Sequence, residues 1–369
     1  MLRDVLRRLG PIAWRDARIE ELLTKVRAQQ GRIEELREQR RAAPAPRPPA
    51  RPAGRYRPTV PSWHARIMEQ QRVQRAVNAL PGSEQHPRRN LFRKLHNYEL
   101  ARSLGVATPQ VLGVWPAVGD VDWDLLPERF VLKSNGGSTG RGVLPLERHG
   151  SGFRLVDGSR DYTAEEVVEH FEDAQGAARP PFFAESLLAG TDQALPDDVK
   201  VYAFYGEVAY VMLRRMPRHA DLVSARVRMV SPTGEDLGLL KRSRTPDPDL
   251  PIPPQLPLMV DTAAALSLAV PLPYIRVDLY GSGPDGVVLG ELTPLPGDSQ
   301  TFTAEWDRRL GEMYDDAEAR LQVDLANGRP YRVLHGEHAR ALTTPVPPST
   351  QAPAVPGWGT TPPAESTQR

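Results

Sequence analysis

Cysteine is absent from the chain, which excludes a disulfide framework, a thiolate zinc site and a cysteine nucleophile. Long apolar runs are absent too: none approaches the roughly 18 residues of a membrane span, and the N-terminus lacks the apolar core of a secretory signal. Neither sign of charge is in excess, because 47 basic side chains accompany 46 acidic ones. The balance therefore gives no reason to expect nucleic acid or an anionic membrane as the main partner. We expect a cytoplasmic protein that recognises its ligand locally.

Proline is abundant, with 38 residues, and its uneven distribution predicts the domain organisation. Residues 43–61 read "APAPRPPARPAGRYRPTVP". Because proline has no N–H and a fixed φ, this segment is predicted to be an extended linker. The Pro/Thr-rich C-terminal stretch has almost nothing to bury and is predicted to be disordered. The predicted organisation is an N-terminal helix in 1–42, a linker in 43–62, the working domain in 63–340 and a tail in 343–369.

The N-terminal segment 12–40 has apolar side chains at heptad-like spacing among Glu and Arg: Ile19, Leu22, Val26, Ile33 and Leu36. This pattern predicts a helix that either pairs in a coiled coil, making a homo-oligomer, or remains a single solvated helix. Gln29 at a d position and the adjacent Gly31 weaken the coiled-coil seam. The first ten residues, "MLRDVLRRLG", have an alternative role as a basic amphipathic turn on an anionic membrane.

The working domain mixes helical and strand patterns. Residues 93–105, "RKLHNYELARSLG", have helical spacing with Gly105 as a C-cap. Six other segments are typical of strands: "RFVLK", "GVLPLER", "VKVYAF", "EVAYVML", "YIRVDLY" and "GVVLGEL". Several of them follow one another across short Gly-containing turns, which predicts antiparallel hairpins. The domain is therefore predicted to belong to the α+β or α/β class.

Residues 130–143 read "FVLKSNGGSTGRGV", and such glycine loops cradle phosphates because the main chain can approach a ligand closely. A Walker A loop is excluded because Lys133 precedes the glycines, and a dinucleotide fingerprint because a strand follows. Residues 136–140 match G-x-S-x-G, which raises the alternative of a hydrolase nucleophile. In hydrolases, however, this motif forms a sharp turn from a strand into a helix. Two further alternatives remain: a hairpin over a nucleotide, with Lys133 neutralising phosphate charge, and a Gly-rich surface hairpin.

A second polar group occupies the segment "YIRVDLYGSGPDGVVLGELTPLPG". Strand alternation puts Arg276, Asp278 and Tyr280 on one face. A turn over residues 281–286 predicts Arg276 opposite Glu291, with Asp278 diagonal to Glu291. Diagonal neighbours lie roughly 7 Å apart, so the two carboxylates can share a hard cation such as Mg²⁺. The alternative is a surface salt bridge between Arg276 and Glu291.

Together these stretches resemble the ATP-grasp superfamily and, within it, the TupA-like branch of teichuronopeptide biosynthesis. The similarity extends over residues 94–314. It is carried, in this order, by "VLGVWPAVGDVDWDLLPERFVLKSNGGSTGRGV", "FFAESLL", "DVKVYAFYG" and "RVDLY…GELTPLPG…FTAEWDRRLGEMY". The resemblance implies the ATP-grasp fold, in which two α+β subdomains clasp a nucleotide, and it implies ATP and Mg²⁺ as cofactors.

The resemblance also implies roles for individual residues. Lys94 corresponds to the first nucleotide-binding lysine of these enzymes, and Lys133 corresponds to the second. Glu185, Leu187 and Leu188 match the hinge that binds adenine through its main chain. The loop residues implied to fold over the β- and γ-phosphates are Gly136, Gly137, Ser138, Thr139, Gly140 and Gly142.

Asp278 and Glu291 match the two magnesium carboxylates, and Arg276 is implied to contact phosphate. Thr293 stands where many superfamily members have an asparagine as a third magnesium ligand, although the TupA-like branch also has Glu-Leu-Thr.

Lys200 and Arg215 match family positions that are implied to contact phosphate or the acyl substrate. The surrounding segment 214–250 contains seven arginines. This excess predicts an anionic substrate, with a solvated basic loop as the equal alternative.

The implied reaction starts with attack of a carboxylate oxygen on the γ-phosphorus of ATP, and an amine then converts the acylphosphate into an amide. Positioning and charge supply such catalysis, so no Ser, Cys or His nucleophile is needed; the eight histidines form no HExxH motif. The predicted function is a carboxylate–amine ligase for small-molecule substrates in cell-surface polymer or peptide-type secondary metabolism. The alternatives are a kinase-like phosphotransferase and an assembly protein that only binds nucleotide.

Overall fold

The computed structural model describes residues 60–328, apart from 84–85, 138–139, 141, 175–177, 189–195, 244 and 283–285, and also the isolated positions 24 and 31. The predicted coiled coil (those two positions aside), the predicted linker up to residue 59 and the predicted C-terminal tail lie outside the described residues. In the described part of the chain, no helix combines the length and apolar character needed to cross a membrane.

Helices and strands follow one another in blocks along the chain. The helices are α1 (Trp63–Ala79), α2 (Pro87–Asn90), α3 (Lys94–Ser103), α4 (Ala164–Asp173), α5 (Leu256–Leu268) and α6 (Ala304–Ala326). The strands are β1 (Val111–Trp115), β2 (Arg129–Gly137), β3 (Val143–His149), β4 (Gly152–Leu155), β5 (Asp161–Tyr162), β6 (Ala178–Ser186), β7 (Asp198–Phe204), β8 (Glu207–Arg215), β9 (Arg226–Val230), β10 (Thr245–Pro246), β11 (Ile275–Ser282) and β12 (Gly286–Thr293). Each of the six strands predicted from the sequence overlaps an observed strand, which confirms the α+β class.

The described strands form two six-stranded sheets. The first has the order β1-β6-β2-β3-β4-β5, and the second has the order β10-β9-β8-β7-β11-β12. β9 and β10 pair in parallel, and the other neighbouring strands pair antiparallel, as the short turns predicted. Each sheet has its own apolar core: one contains Phe130 and Phe171, the other Tyr202 and Met259.

Helix α3 contacts strands of both sheets. On one side, the main-chain N–H of Leu95 donates to Asn135 Oδ1 of β2 at 2.9 Å. On the other side, the Asn97 amide hydrogen bonds with the main chain of Leu292 in β12. Gly105 follows the helix with a φ of 77°, the left-handed conformation in which glycine commonly ends a helix. The helix is therefore anchored between the two halves of the domain.

Helices α1 and α6 pack against each other beside the second sheet. Trp63 of α1 is fully buried, and its ring lies 5.5 Å from that of Phe204 and 4.6 Å from that of Tyr274 between centroids. Gly311 of α6 faces the start of α1, where an added Cβ would lie 2.5 Å from the main-chain N of Ser62. Only a glycine permits this approach of the two helices.

We expect Gly311→Ala to lower the free energy of unfolding by about 1–3 kcal/mol, because the new methyl group overlaps the main chain of Ser62. Helix propensity alone predicts the opposite sign, by roughly 1 kcal/mol, since alanine is favoured over glycine inside a helix. Urea unfolding followed by circular dichroism measures the change. Gly297→Ala is the control, because nothing lies within 4 Å of the Cβ added there. Unchanged or increased stability of Gly311→Ala contradicts the close packing.

Candidate active site

A cleft of about 230 Å³ lies between the two sheets. Strands β2, β3 and β6 contribute residues to one wall, and β7, β8, β11 and β12 contribute to the other. Part of the lining is apolar: Val131, Val143, Pro145, Leu187, Leu188 and Met216. The rest carries a dense set of charges: Lys94, Lys133, Glu185, Asp198, Lys200, Arg214, Asp278 and Glu291. The fold thus brings together residues that are almost 200 positions apart in the chain.

Lys133 is held on the first wall by two groups. Its ammonium forms an ion pair with Glu185 Oε1 and donates to Tyr98 Oη at 3.2 Å. Tyr98, on α3, in turn donates to Glu185 Oε2 at 2.7 Å. Burial, together with the Glu185 carboxylate, raises the pKa of Tyr98 well above its usual value, so the hydroxyl keeps its proton. The three side chains form a closed hydrogen-bonded set that orients the lysine.

Lys94 is the first residue of α3 and is buried at the cleft. Its Nζ lies 3.4 Å from the carbonyl oxygen of Ser134 in β2. Burial and the neighbouring Lys133 lower the pKa of Lys94, and Glu291 on the facing wall opposes that change. The two lysines predicted from the sequence are therefore neighbours in one site.

Glu185 and the residues after it form the edge of the cleft. The main chain of Glu185 is paired with β1 on one side and with β2 on the other. It is therefore the carboxylate of Glu185 that lies in the site. Leu187 and Leu188 follow the end of β6 and line the cleft. The family resemblance implies that these two residues are part of the adenine hinge.

The glycine segment, residues 136–142, starts at the end of β2 and contributes three glycines to the lining of the cleft. Gly137, Gly140 and Gly142 line it, whereas Gly136 packs against Arg179 of β6, with 3.3 Å between an added Cβ and that side chain. Gly140 has a φ of 77°, a left-handed conformation that favours glycine. The predicted phosphate contacts of Ser138 and Thr139 fall outside the described residues.

A loop from the second sheet meets this glycine segment. Ala220 lies 3.5 Å from a Cβ added at Gly140, and His219 Nε2 lies 2.7 Å from the carbonyl oxygen of Val143. Burial lowers the pKa of His219, which keeps the ring neutral near pH 7. The two halves of the domain are thus in contact at the mouth of the cleft.

Two carboxylates face the cleft from β11 and β12. Asp278 lies directly opposite Glu291, and Arg276 lies opposite Thr293. The sequence predicted Arg276 opposite Glu291 and Asp278 only diagonal to it, and this register was wrong by two residues. The observed pairing brings the two carboxylates closer than the diagonal arrangement would.

Two local features cause the difference in register. β11 continues to Ser282, which pairs with Gly286, so the turn is shorter than predicted. The pairing also skips Gly290 between Asp278 and Leu279, a β-bulge with one extra residue on β12. A Cβ at Gly290 would lie 2.6 Å from the ring of Tyr280. Simple alternation cannot reveal a bulge, but this glycine inside a strand pattern is a signal for one.

Asp278 is compensated by two cations although it is buried. Arg276 donates two hydrogen bonds to its carboxylate, at 2.6 and 2.7 Å, and Lys200 forms an ion pair with Oδ2. Burial by itself would raise the pKa of Asp278, but Arg276 and Lys200 outweigh it and hold the pKa well below its usual range. Arg276 also donates to Thr293 Oγ1 at 3.0 Å. The carboxylate is therefore ionised throughout the physiological pH range.

Arg214, rather than the predicted Arg215, lines the cleft. Arg214 lies opposite Asp198 in the β7/β8 register and forms an ion pair with it. Arg215 points to the opposite face of the sheet. There its half-exposed guanidinium forms an ion pair with Asp197, with 2.6 Å between Nη2 and Oδ2. Neighbouring residues on a strand point to opposite faces, and the face of Lys200 includes Arg214.

Sequence reasoning also missed Tyr98, Asp198 and Tyr280 as site residues. Asp198 and Lys200 are two apart on β7, so alternation could have placed both on the face that Lys200 was predicted to use. Tyr98 lies one helical turn after Lys94 on α3, which puts both on one side of that helix. No local pattern showed that this side faces Glu185.

We expect Tyr98→Phe to lower the free energy of unfolding by about 1–3 kcal/mol, since it removes a donor from the buried Glu185 carboxylate. Thermal or urea unfolding at pH 7 measures the difference. The control is Tyr274→Phe, because the buried Tyr274 hydroxyl has no hydrogen-bond partner among the described residues. We expect that variant to be as stable as the unmodified chain. Equal stability of the two variants would show that the Tyr98–Glu185 contact contributes nothing.

Solved structures of several ligases and a synthetase are similar to this chain. A D-alanine–D-alanine ligase from Bacillus anthracis, solved with ATP, is 15% identical with a TM-score of 0.41, covering 66% of this chain and 70% of its own. The VanG D-Ala:D-Ser ligase from Enterococcus faecalis is 11% identical with a TM-score of 0.40, covering 64% and 63%. The D-cycloserine synthetase DcsG is 15% identical with a TM-score of 0.39, covering 70% and 81%. No curated protein matches the chain.

The family comparison is decisive because it covers most of the domain. The model of the family described as TupA-like ATPgrasp matches residues 77–315. That range contains Lys94, Lys133, Asp278 and Glu291, which meet in the cleft. The chain therefore belongs to the TupA-like ATP-grasp family, as the sequence motifs predicted.

Proposed function

We propose that the protein is an ATP-dependent ligase that joins a carboxylate to an amine through an acylphosphate. The observation that carries the proposal is the opposition of Lys94 and Lys133 to Asp278 and Glu291 across one cleft. Lysines on one wall suit phosphate oxygens, and carboxylates on the other suit a cation bound to those oxygens. Membership of the ATP-grasp family supports ATP as the nucleotide.

The cleft is divided in a way that suits a nucleotide. Leu187, Leu188 and Val131 line an apolar part beside β6, which suits a base stacked between aliphatic side chains. Further along β2 from Val131, Lys133 and Gly137 line the same cleft, where the triphosphate would be held. Main-chain N–H groups of a glycine segment add donors for phosphate oxygens without steric conflict.

The donor set fits Mg²⁺ carried with the nucleotide. Asp278 and Glu291 are directly opposite each other and both line the cleft. Among the described residues, no group of three or more His, Cys, Asp or Glu side chains is arranged to hold a metal alone. Two carboxylates with phosphate oxygens and water are the usual ligands of Mg²⁺. When bound, the ion would neutralise charge on the phosphates.

The residues of the chain would act by position and charge. In the first step, a substrate carboxylate oxygen bonds to the γ-phosphorus while the bond to ADP breaks. Lys94 and Lys133 would stabilise the negative charge on the phosphates, with Lys133 oriented by Glu185 and Tyr98. In the second step, an amine nitrogen attacks the acyl carbon, phosphate leaves, and the nitrogen loses a proton. Neither step needs a nucleophilic side chain.

The substrates are proposed to be peptide-like or cell-surface polymer precursors, as in the branch of the superfamily that the sequence resembles. Arg214 supports an anionic substrate group, because it is a cleft cation whose guanidinium is only partly engaged. Its side chain is 20% exposed, and the one ion pair that it forms among the described residues is with Asp198.

We expect Lys133→Met to slow ADP formation on the order of 100-fold or more, because one preorganised charge at the transferred phosphate is lost. The assay measures ADP release from ATP and Mg²⁺ with a panel of amino acids and dipeptides, and mass spectrometry detects the amide. Lys241→Met is the matched control, since Lys241 is also a buried lysine but contacts Asp298 and Tyr202 outside the cleft. ADP release without added amine favours a phosphotransferase, and nucleotide binding without any turnover favours an assembly role. Undiminished ADP formation in Lys133→Met contradicts the proposed site.

We expect Arg214→Met to weaken binding of an ATP analogue or of the anionic substrate by roughly 10- to 100-fold, the loss typical of a charged hydrogen bond. Arg215→Met should change neither by more than about twofold, because exposed ion pairs contribute little. Isothermal titration calorimetry with AMP-PNP and steady-state KM values measure the two effects. The reverse order of effects would show that the exposed arginine contacts the substrate.

A further inference from the structure

We propose that Lys200 is a mobile counter-ion of the metal carboxylate, passing from Asp278 to Asp198 when a divalent cation binds. The inference rests on the proposed function, because it concerns the metal that would accompany ATP at Asp278 and Glu291. It gives Lys200 a positioning role in place of the direct phosphate or acyl-substrate contact that the family resemblance implies.

The ammonium of Lys200 lies between two carboxylates on one face of the second sheet. Asp198 precedes Lys200 by two residues on β7 and points the same way, and Asp278 lies opposite Lys200 on β11. Nζ forms an ion pair with Asp278 Oδ2 and lies 2.8 Å from Asp198 Oδ2. The side chain is only 6% exposed, so it cannot simply move into water. A transfer between the carboxylates needs only side-chain rotation, with the strand unchanged.

Asp278 and Asp198 differ in how many further hydrogen bonds their carboxylates can accept. Asp278 already accepts two hydrogen bonds from Arg276, in addition to the Lys200 contact. Asp198 shares Oδ2 between Lys200 and Arg214, whereas its buried Oδ1 has no hydrogen-bond partner among the described residues. A buried acceptor without a donor is unfavourable. Asp198 is therefore able to take the ammonium fully.

Charge explains why the lysine and a metal exclude each other at Asp278. The ion pairs around it join three carboxylates and three cations, so the group is neutral: Asp198, Asp278, Glu291, Lys200, Arg214 and Arg276. Like charges a few ångströms apart repel each other strongly away from bulk water, and a divalent ion doubles this repulsion. A metal bound at Asp278 therefore repels Lys200 toward Asp198.

This arrangement would keep a metal from binding strongly by itself. A neutral group offers a free divalent ion little attraction, whereas a nucleotide brings additional negative charge. Lys200 would thus make metal binding depend on the nucleotide, and Asp198 would be the acceptor that makes the displacement possible.

Mn²⁺ alone is the probe, with binding to the full chain measured by electron paramagnetic resonance in the absence of nucleotide. We expect Lys200→Met to bind Mn²⁺ about 5-fold or more tightly than the unmodified chain, and Asp198→Asn to bind it about 5-fold or more weakly. Lys200→Arg keeps the charge and should remain close to the unmodified chain. If Lys200→Met binds Mn²⁺ no better than the unmodified chain does, the inference is overturned.

The double variant Lys200→Met/Asp198→Asn separates transfer from simple electrostatics. If Asp198 acts by accepting Lys200, the Asp198→Asn effect disappears in the Lys200→Met background, and the double variant binds Mn²⁺ as Lys200→Met does. If Asp198 acts only through its own charge, the two effects add, and the transfer is refuted. Thermal unfolding of all variants, with Lys241→Met as a buried-lysine control, identifies any that are misfolded. If Lys200→Met is misfolded, the isosteric Asp198→Asn is the test, and unchanged Mn²⁺ binding by that variant overturns the inference.

A separate arm distinguishes failure of the inference from failure of the proposed function. Binding of AMP-PNP to the unmodified chain is measured with and without Mg²⁺. If AMP-PNP fails to bind, the proposed function falls. If AMP-PNP binds more tightly with Mg²⁺ but the Mn²⁺ effects add, only the role of Lys200 falls.

Discussion

The pairing of buried Asp278 with Arg276 and Lys200 is the interaction on which the site depends. A carboxylate that is 2% exposed would be strongly unfavourable without compensation. Arg276 on β11 and Lys200 on the neighbouring β7 provide that compensation. The same principle operates on the facing wall, where Glu185 and Tyr98 hold Lys133. Buried networks of this kind restrict the site to arrangements in which every charge keeps a partner.

Helix α3 connects these two networks. It carries Lys94 and Tyr98 toward the first wall, and its Asn97 amide contacts β12 on the second. A shift of one sheet relative to the other therefore changes the surroundings of both lysines. Helix α3 thus supplies Lys94 directly and orients Lys133 of β2 through Tyr98, so both lysines depend on an element that contacts both sheets.

The local patterns in the sequence predicted the elements of this domain well. Alternation identified the strands, and the glycines marked the segment after β2 that lines the cleft. The face shared by Asp278 and Tyr280 was also predicted, because side-chain direction in a strand has a period of two. Prediction failed where pairing between strands mattered. The bulge at Gly290 shifted the register, and the choice of Arg215 over Arg214 overlooked the strand opposite.

The sequence by itself determined the strands and the helix that build the domain, the glycine segment and the identity of its charged residues. Each of these follows from interactions between neighbours in the chain, such as alternation, capping and the freedom of glycine. Only the tertiary structure decided which charges meet: Lys133 with Glu185 and Tyr98, and Lys200 with both Asp198 and Asp278. Those contacts join strands and helices far apart in sequence, and they are set by sheet order, register and burial, which no local pattern encodes.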